Sequence, residues 1–190
     1  MKIEECNRPV LFAALLLAVL ALAPAALAQS LSLKPPSLND VQGRIVARFG
    51  VAVEDVPILK GELEDGLDLV LRCEVSLYRK NDFWMDSEVA SGTFISELRY
   101  DSLAQEYVMT LPGTEHLVRG KDIGKLVEEG WKAIEVGLGS WTLLERGARY
   151  SLRLRTAMNE KGAPEGFMRY LYFWSWNPGA ENSFQMDFTY

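Results

Sequence analysis

Few side chains in this 190-residue chain are both able to do chemistry and spaced to do it. His116 is the single histidine, in a loop after Thr114-Glu115. A Ser-His-Asp triad would have to use it, yet no Gly-x-Ser-x-Gly elbow and no oxyanion glycine run accompanies it. It reads as a solvated surface residue. With one histidine and two cysteines, Cys6 and Cys73, the sequence lacks ligands for zinc, copper or haem. Asp82, Asp86 and Glu88 come nearest to a calcium cluster, but Phe83, Trp84 and Met85 replace the alternating oxygen ligands such a loop needs. Two carboxylates could serve glycoside hydrolysis, but in so acidic a chain some pair will always look suitable. No phosphate-cradling loop or dinucleotide glycine fingerprint occurs. The expectation is no catalytic residue, no metal and no cofactor.

Aromatic residues stand out instead. Trp84, Tyr100, Tyr107, Trp141, Tyr170, Tyr172, Phe173, Trp174 and Trp176 crowd the chain from residue 84 onward. Within Tyr170 to Trp176 both alternating faces carry aromatics. One face should line a core. The other is either covered by a helix or exposed as a patch for a partner or apolar ligand.

These residues must be positioned mainly by strands. Between Leu67 and Arg79, Leu69, Leu71, Cys73, Val75 and Leu77 alternate with Val70, Arg72, Glu74, Ser76 and Tyr78, which predicts a half-buried antiparallel strand. Cys73 falls on its dry face, as a small hydrophobe. Phe94, Ser96, Leu98 and Tyr100 alternate in a second strand. Asp101-Ser102-Leu103-Ala104 reads as a turn with Asp101 accepting backbone N–H groups, and Gln105 to Leu111 as the returning partner. Arg44 to Phe49 and Val51 to Leu59 read as first strands, broken at Gly50 and Pro57. Glu62 to Gly66 reads as a short turn or helical piece. One amphipathic helix is predicted over Lys121 to Glu135, from Ile123, Leu126, Val127, Trp131 and Ile134, with Gly124 and Gly130 weakening it. Gly137 to Arg146, Ala148 to Ala157 and Ser183 to Tyr190 resume strand character. The fold class is therefore mainly β: an antiparallel β-sandwich or curved sheet with one amphipathic helix packed on it, and a closed lipocalin-like barrel as the alternative.

The N-terminus gives an address. Lys2 and Arg8 precede an apolar run from Val10 to Ala23, Pro24 breaks it, and Ala26-Leu27-Ala28 supplies a signal-peptidase site. Residues 1–28 read as a signal peptide cleaved after Ala28, with an uncleaved anchor as the rival. The run is shorter than the roughly 20 residues of a membrane span. Residues 29–40, broken by Pro35-Pro36, read as a flexible or extended leader, and residues 41–190 as a single β-rich domain. Cleavage after Ala28 removes two basic and two acidic residues, so the mature chain keeps the net charge of −6. That balance argues against nucleic acid and against a basic patch for anionic lipid.

Tyr78-Arg79, Phe83-Trp84-Met85-Asp86 and Val89-Ala90, followed by Leu98-Arg99-Tyr100-Asp101-Ser102-Leu103 and Tyr107, resemble the bacterial DUF4390 family. The resemblance covers roughly Val41 to Tyr190 and is strongest between Leu67 and Tyr107. It implies an exported domain of unknown function, with no catalytic residue to carry over. Physically, Trp84 is expected to fold back over the sheet end, Asp86 to cap a turn or accept backbone N–H groups there, and Arg99 to pair with Asp86. Trp84, Asp86, Arg99 and Tyr107 are the candidate binding residues, with a structural role favoured over a ligand site. The function expected is a periplasmic, non-enzymatic domain that binds an envelope or membrane protein. A small-ligand or lipid carrier is one alternative, and a carboxylate-dependent hydrolase a more distant one.

Overall fold

The computed structural model describes residues 30–112, 117–162 and 181–190. The signal-peptide segment, His116 and the aromatic run Tyr170 to Trp176 lie outside the described residues. The described chain runs β1 (Leu31–Val41), β2 (Arg44–Val53), α1 (Val56–Glu64), β3 (Leu69–Arg79), β4 (Ser87–Asp101), β5 (Glu106–Met109), β6 (Val118–Gly120), α2 (Ile123–Trp131), β7 (Ile134–Ser140), β8 (Arg149–Glu160) and β9 (Glu181–Thr189). A 3₁₀ turn, Trp141–Leu143, follows β7. The strands form two antiparallel sheets, β1-β2-β7 and β6-β5-β4-β3-β8-β9.

The larger sheet is organised by β3. Leu71, Cys73 and Leu77 are completely buried, and Leu69 and Val75 nearly so. β8 supplies Tyr150, Leu152 and Leu154 to the same dry face, and β2 answers from the small sheet with Ile45, Ala47, Phe49 and Val51. Burial pushes the Cys73 thiol up to about 12, because the thiolate would lose its water. The sandwich expected from period-two patterning is the architecture found, and among the described residues neither sheet closes into a barrel.

The helix α2 begins where expected, with the Asp122 carboxylate accepting the Lys125 N–H at 3.2 Å. It is shorter than the apolar spacing suggests, since Ile134 opens β7 instead. Ile134, Val136 and Leu138 are buried at alternate positions, and that period of two overrides the helical one. Trp131 is fully buried and its indole donates to Ser96 Oγ at 3.0 Å, while Ser96 donates to the Thr110 carbonyl at 2.8 Å. The relay ties α2 to β4 and to the segment leaving β5.

Three expectations are corrected. Residues 31–41 are not a leader but strand β1, paired with β2 along its length. The proline pair sits at a register shift between Lys34 and Ser37 on an edge strand, the place where a sheet tolerates a missing donor. The strand expected to start after Gly50 is the second half of β2, and Pro57 opens a second helix rather than ending a strand. Gly50 lies within β2 at a position where a Cβ would meet the Lys132 carbonyl at 2.8 Å. The segment after Ser140 turns into the 3₁₀ element, capped by Ser140 Oγ, before β8 begins.

The two sheets approach closely where β4 meets β7. A Cβ on Gly92 would lie 2.6 Å from Val136 Cγ1 and 2.8 Å from the Gly137 carbonyl. The backbone cannot yield there as a side chain can. Gly61, on α1, faces open space and has no unusual backbone angle. Gly92→Ala is expected to destabilise the fold by roughly 1–3 kcal/mol, whereas Gly61→Ala should stabilise it by roughly 0.5–1 kcal/mol. Urea unfolding midpoints at unchanged slope read both signs.

Candidate functional site

The connection between β3 and β4 carries Trp84 and Asp86, and four tethers shape it. The Lys80 N–H extends the β3–β8 ladder to the Arg149 carbonyl at 2.8 Å. The Asn81 side-chain amide donates to the Met85 carbonyl at 3.2 Å, closing the loop on itself. The Asp82 carboxylate accepts from the Arg149 guanidinium. Asp86 accepts from Arg153 Nη2 at 2.7 Å. Both arginines stand on the wet face of β8, and the Arg153 guanidinium also lies 4.3 Å from the centre of the Tyr78 ring. The Tyr78 hydroxyl in turn donates to Glu88 at 3.1 Å. Two further pairs flank the base: Arg79 with Glu145 and Lys80 with Asp187, each at 2.6 Å. The Lys80 hydrogen bond holds the Asp187 carboxyl down at about 2.

Between these tethers the chain turns outward. Phe83, Trp84 and Met85 are 91%, 86% and 90% exposed. The expected backfolding of Trp84 does not occur, because Asp82 and Asp86 are drawn down onto β8 on either side and the three residues between them bulge into water. Nor does Arg99 meet Asp86. Arg99 lies near the far end of β4, opposite Val108, whereas Asp86 precedes the start of that strand. Asp86 takes Arg153 as its cation instead of capping a turn. Asp82, Asp86 and Glu88 are likewise divided among Arg149, Arg153 and Tyr78, so they do not converge on one point.

Tyr107 belongs to another part of the molecule. It is buried on β5, directly across from Tyr100 with ring centres 5.0 Å apart, and its hydroxyl donates to Glu64 Oε1 at 2.8 Å. Burial, and then the hydrogen bond to Glu64, push its phenol up to about 12. This pair locks α1 onto the β4–β5 hairpin. At the hairpin turn, Asp101 Oδ1 accepts the N–H groups of Leu103 and Ala104 at 3.2 and 3.1 Å, as the sequence predicts. The four candidate residues therefore separate: Trp84 and Asp86 share the β3–β4 tip, while Arg99 and Tyr107 sit near the opposite end of β4. Phe83, Met85, Arg149 and Arg153 complete the tip. In the sequence Arg153 and Arg155 alternate with Leu152 and Leu154, which marks a wet face but not the acids it meets.

An open groove of about 500 Å³ runs beside β4, lined by Thr93, Ile95, Glu97, Thr110, Leu111 and Pro112. It is a surface trough rather than an enclosed chamber. Among the described residues no cluster of three or more His, Cys, Asp or Glu is placed to hold a metal ion, and no helix is long and apolar enough to cross a membrane.

Two measurements test this geometry. In a double-mutant cycle, Asp86→Ala and Arg153→Ala should couple by about 0.2–1 kcal/mol, the range for a partly exposed pair. Asp86→Ala and Arg99→Ala should be additive. Because the folded state holds the Tyr107 proton more tightly than an unfolded phenol near 10 does, its contribution is complete below about pH 10. It should fade as the pH rises towards 12. Tyr107→Phe should remove that alkaline component from a pH series of unfolding free energies.

A family model described as a domain of unknown function, DUF4390, matches residues 28–187. The searches of curated proteins and of solved structures found no match. The match spans both sheets and both helices, including the strand β1. The chain belongs to the DUF4390 family.

Proposed function

We propose that this protein is an exported, non-catalytic binding domain of the cell envelope, and that the β3–β4 tip is its contact element. The observation that carries this reading is the Phe83-Trp84-Met85 knob, three consecutive large apolar side chains each about nine-tenths exposed. Burying such residues stabilises a fold, and leaving them in water forgoes that gain. Here the chain also holds them out with Asn81, Asp82 and Asp86, none of which packs on the core. A contact loop tied at its base loses less freedom on binding than a slack one. The signal-like N-terminus supports an extracytoplasmic location. The open groove beside β4 gives little support to an apolar carrier, since a carrier encloses most of its ligand.

A photoreactive amino acid at position 84, introduced in intact cells, tests the contact element. Adducts, to protein or to lipid, are expected from position 84 and not from Gln185, on the exposed face of β9. An adduct-free position 84 would remove the reading. N-terminal sequencing of the envelope fraction should begin at Gln29, and a mature product confined to the cytosol would contradict export.

A further inference from the structure

We infer that the target of the tip is the interfacial layer of a lipid bilayer, an inference that rests on the tip being the contact element. Three neighbouring side chains that are each nearly fully solvated cannot be shielding one another, so they form a convex knob and not a flat patch. At roughly 150–250 Å² per aromatic side chain, Phe83 and Trp84 together offer about 400 Å², to which Met85 adds one more side chain. A stable protein–protein contact takes about 800 Å² from each partner, with a polar rim around the apolar centre. The rim is already occupied: Asn81 is bonded to the Met85 carbonyl, Asp82 to Arg149 and Asp86 to Arg153. A bilayer interface demands neither a shaped cavity nor a polar partner, and it is the environment in which a Trp side chain is most at home. An apolar surface of this kind settles about 5–10 Å into the headgroup and acyl boundary.

The charges around the knob specify the kind of membrane contact. Arg79, Lys80, Arg149 and Arg153 are each matched by a carboxylate of this chain. The whole molecule carries a net charge of −6. Attraction to anionic headgroups would need unmatched cations within a Debye length of the surface. The binding is therefore apolar: it persists in high salt and gains nothing from anionic lipid.

Flotation with phosphatidylcholine vesicles, and with mixed phosphatidylcholine–phosphatidylglycerol vesicles, tests the inference on the chain from Gln29, since the described fold begins at Ser30. The parent is expected to float with both, in low and high salt alike, and Phe83→Ser/Trp84→Ser/Met85→Ser to lose at least tenfold in partitioning. Trp84→Phe keeps an apolar tip and should still float, but should lose the part of the tryptophan emission that lipids brominated in their acyl chains quench. That arm decides the matter even if the triple variant melts early. Failure of the parent to float, equal flotation of a well-folded triple variant, release by salt, or unchanged quenching in Trp84→Phe would each overturn the inference. If position 84 captures a protein in cells while the parent ignores vesicles, the contact element stands and the bilayer is wrong.

Discussion

The exclusion of water from one face of β3 is the constraint on which the remaining structure depends. Leu71, Cys73 and Leu77 have no solvent exposure; β4 and β8 flank them laterally and β7 approaches from the opposite layer. Because side chains alternate along a strand, that dry face commits Arg72, Glu74, Ser76 and Tyr78 to the other side. Tyr78 is thereby placed beneath the Arg153 guanidinium, and Arg153 beside Asp86. The register that fills the core is also the register that lays the arginines of β8 under the β3–β4 loop. A slip of one residue would turn the core outward and dismantle the loop's base together.

The fold and the tip are consequently stabilised by different kinds of interaction. Aliphatic packing, together with the buried Trp131–Ser96–Thr110 relay, accounts for the body of the domain. The tip rests on exposed or half-exposed ion pairs, each of which contributes little alone. Their collective effect is geometric. Asp82 and Asp86 are anchored on Arg149 and Arg153 of one strand, and the Asn81 amide closes the loop on the Met85 carbonyl, so the residues between turn away from the sheet. Such a loop can be altered without unfolding the core, which is the property expected of a binding element on a rigid scaffold.

What the sequence revealed followed from local periodicity. The β3 alternation, the Asp101 turn and the apolar stripe of α2 all involve neighbours within a few positions, so their signals survive in a one-dimensional reading. Where two local signals competed, the reading failed. Pro57 can end a strand or open a helix, and Pro35-Pro36 can mark a leader or a bulge on an edge strand; only the pairing with β2 decides. Ile134 fits both a helical and an alternating pattern, and its burial in β7 settles it. The position of Trp84 was illegible for a different reason. It depends on Asp82 and Asp86 meeting β8, with each acid 67 residues from its arginine. No spacing rule reports an encounter of that range. The aromatic character of the tip was visible in the chain, but its exposure was not.

The central claim is that the loop from Lys80 to Asp86 is ordered while Trp84 remains in water. Nuclear magnetic resonance relaxation of the backbone, combined with fluorine labelling of tryptophan, measures both properties at once. The account predicts order parameters across the loop near those of the strands, about 0.85, together with a Trp84 fluorine resonance that shifts fully when water is exchanged for heavy water. Order parameters below about 0.6, or a Trp84 resonance indifferent to the solvent, would contradict it.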